Sequence, residues 1–201
     1  MQRRSVLLGG LLVLLAGCSG NWEVAYDNGI DASVSRNWHV HNVMVVAPES
    51  LTVSNANTFA PNADIVWHGE PYGNRRTQVA EIVKEGILRG TSVLNGQRDV
   101  TIVANIRHFH SVTPLAMSQA PGAVHNIRYV ARVMDTETGE FLTEPEEISA
   151  DLEAYVGAAA ITAALEGNTA KVRIVNHIAR VTRGWLGVGP DQRRRFSGVG
   201  R

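Results

Sequence analysis

Residues 99–110, DVTIVANIRHFH, decide the fold class. Val100, Ile102, Ala104 and Ile106 fall on one side of an extended chain, and Thr101, Val103, Asn105 and Arg107 on the other. Side chains alternate along a strand, so this is the period of a sheet with one covered and one wetter face. His108 extends the apolar side. Residues 123–134, AVHNIRYVARVM, repeat the pattern and bring Ile127, Tyr129, Ala131 and Val133 together. Asp135-Thr136-Glu137-Thr138-Gly139 is a turn, after which Glu140-Phe141-Leu142 resumes extended chain. Ile148, Ala150, Leu152 and Ala154 read as one further strand. Upstream, 37–46 (NWHVHNVMVV) is β-rich, and 51–53 and 64–67 are shorter extended runs.

Two helices accompany these strands. Val79, Ile82, Val83, Ile87 and Leu88 recur at helical spacing within 77–94, with Asn74 or Thr77 placed to cap the start. Gly86 and Gly90 lie near this stripe. Each costs about 1 kcal/mol relative to Ala in a helix, which close packing on a sheet would justify. Ile174, Ile178, Val181 and Trp185, flanked by Val175, make the stripe of a helix over 169–185. Residues 158–165 form a short helix, and the segment with Pro114 and Pro121 is a loop. The expected fold is α+β: a mostly antiparallel sheet with two amphipathic helices packed on one face.

The chain has 201 residues, 44% hydrophobic and 19% charged, which suits one packed domain. Nineteen Lys+Arg balance nineteen Asp+Glu, without the basic excess of a nucleic-acid protein. The single cysteine excludes an intrachain disulfide and a Cys-rich metal site. That cysteine, Cys18, follows the cationic start Arg3-Arg4, an apolar run over 6–15 and the small residues Ala16-Gly17, the parts of an export signal. The run is too short to cross a bilayer, which takes about 20 apolar residues.

Leu15-Ala16-Gly17-Cys18 resembles the bacterial lipobox. The resemblance implies a diacylglyceryl thioether on Cys18, cleavage before it and acylation of the new amine. The mature chain then loses Arg3 and Arg4, leaving 17 basic against 19 acidic residues and a net charge of −2. Its only thiol is consumed, so thiol catalysis is excluded. Arg3-Arg4-Ser5-Val6-Leu7 fits both a general-secretion and a twin-arginine signal. Ser19, rather than Asp, after the cysteine favours the periplasmic face of the outer membrane, by resemblance to Gram-negative lipoprotein sorting. The organisation expected is a signal peptide over 1–17, a tether over 18–36, one domain over 37–186 and a disordered basic tail over 187–201. Arg193-Arg194-Arg195 and Arg201 in that tail, and Trp22 near the lipid, are candidates for touching the membrane surface.

Three segments carry a family resemblance: Ala63-Asp64-Ile65-Val66-Trp67 leading into Gly73-Asn74-Arg75; Val124-His125-Asn126-Ile127 through Asp135-Thr136-Glu137-Thr138-Gly139-Glu140; and Lys171-Val172-Arg173-Ile174-Val175-Asn176-His177. With the lipobox, they resemble a family of uncharacterised alphaproteobacterial lipoproteins. A looser likeness is to small α/β envelope domains, such as the curli-secretion lipoprotein and activators of penicillin-binding proteins. The resemblance implies fold and location and adds no mechanism.

Histidines are the one suggestive cluster. His39 and His41 share a face of one strand, His108 and His110 a face of another, and His125 begins a third. Brought together, they would make a zinc or copper site, which is the alternative reading. No Gly-x-Ser-x-Gly, His-Glu-x-x-His or phosphate-loop motif is present. Glu144, Glu146 and Glu147 read as a solvated acidic turn. The sequence therefore points to a non-enzymatic module without a cofactor, lipid-anchored and facing the periplasm, that binds an envelope protein partner. Cys18→Ser is expected to abolish lipid labelling and to leave an uncleaved or soluble chain. Membrane partition of that variant surviving a carbonate wash would contradict the lipobox reading.

Overall fold

A computed structural model describes residues 19–199; the expected signal peptide over 1–17 and Cys18 lie outside the described residues. In chain order its elements are β1 (Ser19–Ala25), α1 (Ala32–Ser35), β2 (Trp38–Val46), β3 (Val53–Ser54), β4 (Ile65–Val66), α2 (Arg75–Thr91), β5 (Arg98–His110), α3 (Pro114–Gln119), β6 (Ala123–Asp135), β7 (Glu146–Ala150), β8 (Leu152–Ala154), α4 (Gly157–Leu165), α5 (Ala170–Trp185) and β9 (Arg194–Val199). The strands form one sheet in the order β3-β4-β5-β6-β7-β1-β9, with β2 also beside β5 and β8 beside β6. The α+β class stands, and the sheet is mixed. β2 and β4 run parallel to β5, and β3 parallel to β4, whereas the pairings of β6, β7, β8, β1 and β9 are antiparallel. The physical reason is the connection. The strands preceding α2 reach β5 through that helix, and parallel neighbours need such a crossover. The strands after β5 follow by shorter returns.

The two alternating runs pack as read, with one displacement. Val100, Ile102, Ala104 and Ile106 of β5 and Ile127, Tyr129, Ala131 and Val133 of β6 are buried in one core with α2 and α5. A register shift between Ile106 and His108 makes Arg107 an extra residue. Phe109, not His108, then continues the buried side, and His108 passes to the other face. The segment with Pro114 is not all loop. The Thr113 hydroxyl accepts from the Ala116 amide and Pro114 opens α3, where its missing N–H costs nothing.

Asn74 caps α2, its side chain accepting from the Thr77 amide, and Thr169 caps α5 by bonding the Val172 amide. Val79, Ile82, Val83 and Ile87 are buried as expected, but Leu88 is exposed. The glycines of α2 face α5 rather than the sheet. A Cβ at Gly86 would lie 2.6 Å from the Ile178 Cβ, and one at Gly90 2.7 Å from the Ala179 carbonyl oxygen. They let two helices approach closely, so the conformational cost is met by helix–helix contact.

Both chain ends depart from the expected tether and tail. β1 inserts between β7 and β9, and Trp22, Val24 and Tyr26 alternate into buried positions. Trp22 is therefore buried in the fold, and its indole N–H donates to the Gly198 carbonyl. β9 pairs with β1 over six residues. Arg193 grips the Asp191 carboxylate, which also accepts from the Tyr26 hydroxyl at 2.9 Å. Glu146 is likewise no solvated turn residue. It is buried, and its carboxylate accepts from the amides of Asp27 and Asn28 and from the Asn28 side chain. Two strands 170-odd residues apart in sequence leave no local period to read, since each needs the other to fill its ladder.

Two buried histidines sit on the helix-covered side. Burial, then the charge of Arg173 and the neighbouring His177, push His125 down to about 3. Burial, then Arg180 and Arg194, push His177 down to about 4. Both are neutral in the fold, whereas in the unfolded chain each takes a proton below about pH 6.5. Their contribution to stability is complete above that pH and is lost as pH falls towards the folded values. The melting temperature is expected to decline from pH 6.5 to 4, before Asp135 titrates, its carboxyl held at about 2 by the Thr138 amide and Arg98. His125→Asn should flatten that slope; an unchanged slope would show that this group does not titrate with unfolding. Ending the chain at Gly189 removes β9 and should lower the melting temperature by at least about 5 °C, or roughly 2 kcal/mol. Wild-type melting would mean that β9 adds nothing to the fold.

Candidate docking surfaces

The five histidines of the metal reading occupy three places. His39, the second residue of β2, is exposed with Nδ1 2.8 Å from an Asp99 oxygen, and His41 is exposed at the bulge between Val40 and Asn42. β2 runs alongside the first half of β5, with His39 opposite Asp99. His108 and His110 lie at the other end of β5, about 30 Å away at roughly 3.3 Å per residue. Their rings stack at 5.8 Å, and the His110 Nε2 is 2.9 Å from the Pro61 carbonyl oxygen. His110 stands opposite Asn126 and Phe109 opposite Ile127. His125 therefore projects to the helix-covered face, away from His108 and His110. Among the described residues no three His, Cys, Asp or Glu side chains stand together as metal ligands.

One nucleophile–base pair is present and was not read from the sequence. The Ser111 hydroxyl lies 2.9 Å from the His125 Nδ1, both residues buried. The histidine's Nε2 has no hydrogen-bond partner among the described residues, so no carboxylate orients the ring. With its pKa pushed down to about 3, this imidazole is a weak base near neutrality. The pair satisfies a buried hydroxyl.

Two surfaces stand out instead. The first is a groove of about 720 Å³ between α3, α4 and the start of α5, with His125 at its floor and Met117, Tyr155, Ile161, Leu165 and Arg173 around it. α4, GAAAITAAL, carries no charge, and of its residues only Ala163 is buried. Ile161 is 65% and Leu165 85% exposed. Helices without a polar face are ordinarily buried. The missing charge was the signal in the sequence; that the helix stays uncovered was not. At the rim the Arg173 guanidinium lies 3.5 Å from the Tyr155 ring centre and donates to the Glu153 carbonyl, while Lys171 pairs with Glu70 at 2.7 Å.

The second is the outer edge of β2. On one side β2 hydrogen-bonds β5; on the other, among the described residues, the bridge between His39 and Asn95 touches only its start. Residues 40–46 present an open ladder of backbone groups, and Met44 and Val46 are exposed. No Lys, Arg, Asp or Glu occurs in Trp38–Val46. The charges that usually blunt an edge are absent, and a bulge at His41 is the one protective device.

No curated protein matches the sequence. Among solved structures, the chain is similar to a candidate lipoprotein from Caulobacter crescentus CB15, at 12% identity over 77% of this chain and 93% of that one, with a TM-score of 0.34. It is also similar to a PelC variant dodecamer from Paraburkholderia phytofirmans, at 8% identity over 82% and 96% of the two chains, with a TM-score of 0.38. The model of a family described as of unknown function, DUF6778, matches residues 38–201. That span is most of the chain, from β2 through β9, and the chain belongs to this family.

Proposed function

We propose that the chain is a lipid-anchored lipoprotein of the cell envelope, held through Cys18 at the periplasmic face of the outer membrane, and that it works without catalysis as a protein-binding module. The lipobox and the Ser19 that follows it support the location, as does the sequence likeness to alphaproteobacterial and curli-secretion-type lipoproteins. Among the described residues no helix is long and apolar enough to cross a membrane. His125 beside Ser111 is a weak base with no carboxylate to orient it, which argues against a hydrolase.

The observation that carries the binding role is the open edge of β2. A partner strand laid along residues 40–46 would satisfy backbone groups that this chain leaves to water, with Met44 and Val46 as side-chain contacts. A photo-crosslinking residue at Met44, activated in the native envelope, is expected to trap one discrete protein. The same residue at Glu85, exposed on α2, should trap none. Val46→Lys, which places a charge on the edge, should reduce the Met44 adduct several-fold. An adduct pattern that is the same from both positions and indifferent to Val46→Lys would refute the edge as the docking site.

A further inference from the structure

We infer that the uncharged α4 surface, together with α3, lies in the interface of the bilayer that holds the Cys18 lipid. This rests on the lipid-anchor reading of Cys18 and adds to it an orientation and a second membrane contact.

The first observation is the lack of slack. β1 begins at Ser19, so the anchored residue is one peptide unit, about 3.8 Å between Cα atoms, from a strand in the sheet. The surface around the start of β1 must then face lipid. Strand register says what that surface is. Gly20 pairs with Gly198, a Cβ at Gly198 would lie 3.2 Å from Val124, and Val124 pairs with Glu153. Gly198 thus packs on the Val124 side chain, on the sheet face opposite His125, at the end of the sheet where β6 begins. Tyr155 lies two residues past Glu153, just beyond the end of β8, and α4 begins at Gly157. α3 ends four residues before β6 starts at the same end. The anchor and α4 therefore lie at the same end of the sheet.

The second observation is the chemistry of that end. Ile161, Leu165 and Met117 are exposed without a charged residue in α4. A contiguous apolar patch of this kind marks an interaction surface. At nine residues and about 1.5 Å each, α4 is far too short to span a bilayer and lies on it instead. Tyr155 with the Arg173 cation over its ring stands at the edge of the patch. An aromatic ring and a long cationic side chain are the residues that settle at headgroup depth. A protein partner or a second copy would have to displace lipid that the anchor holds against this end at high effective concentration.

The test uses the acylated mature protein bound to vesicles of phosphatidylethanolamine and phosphatidylglycerol. With Cys18 blocked by its lipid, a single new cysteine at Ile161, Leu165 or Glu137 takes an environment-sensitive fluorophore. Glu137 is exposed in the turn at the opposite end of β6. The expected result is a blue-shifted probe at 161 and 165, quenched several-fold more than at 137 by lipids spin-labelled on the acyl chain. Equal, weak quenching at all three positions in protein whose mass confirms acylation would overturn the inference and leave the anchor standing. A mass without lipid would overturn both. Probe self-quenching at 165 without vesicles would assign the patch to a second copy, also overturning it. As a second arm, a chain starting at Ser19 and carrying Ile161→Glu and Leu165→Glu should lose residual vesicle binding several-fold relative to the same chain without them. Equal binding would count against the proposal.

Discussion

Asp151 interrupts the run between β7 and β8, fully buried, and its carboxylate accepts from the Glu23 amide, the Ile127 amide and the Asn126 side chain. Its own amide donates to the Glu23 carbonyl at 3.2 Å. Burial pushes its pKa up, and the three donors oppose that by favouring the charged form. One acidic residue thus ties the N-terminal strand to the central strand β6. A carboxylate in the core is tolerable only with such a complete set of partners, so the junction is specific in a way that apolar contact alone is not. With β1 held there, β9 acquires a neighbour, Trp22 acquires a cover, and the start of β1 is directed to the end of the sheet that carries α3 and α4.

That direction separates two surfaces. The uncovered α4 and the start of β1 share one end, where α5 also begins. The open edge of β2 runs beside the first half of β5, from the Asp99 end upward. A chain anchored through Cys18, as proposed, would hold the β2 edge to one side of its membrane-facing end, where a partner can reach it. Gly86 and Gly90 bring α2 and α5 into close approach on the covered face of the sheet. Under the proposed anchor, the fold would act as a spacer with a fixed orientation rather than as a domain on a leash.

The elements legible in the sequence were those whose reason is local. α2, α5, β5 and β6 each carry their own period, and Asn74 and Thr169 announce their helices because a cap acts within three residues. The readings that moved each depended on a distant partner. Arg107 breaks the alternation of β5 only because β6 has no residue to set against it. Glu146 looked like one acid of a solvated turn until Asp27 and Asn28, well over a hundred residues earlier in the chain, supplied its donors. The histidines formed a plausible set in sequence because the spacing His-x-His recurs, but spacing within a strand says nothing about which end of which strand lies nearby.

By itself the sequence determined the α+β class, the two amphipathic helices with their stripes and the alternating central strands, and it carries the resemblance to a lipobox at Cys18. Each follows from a short-range rule: side chains repeat every two residues in a strand and about every 3.6 in a helix, and a processing motif is read in extended chain. Only the tertiary structure decided that part of the sheet is parallel, that 19–25 and 194–199 are strands, that the five histidines are dispersed, and that α4 is left bare among the described residues. These are questions of pairing between segments far apart in sequence. Backbone ladders form between any two strands that meet in register, so their partners are chosen by the packing of the whole core and not by the residues of either strand alone.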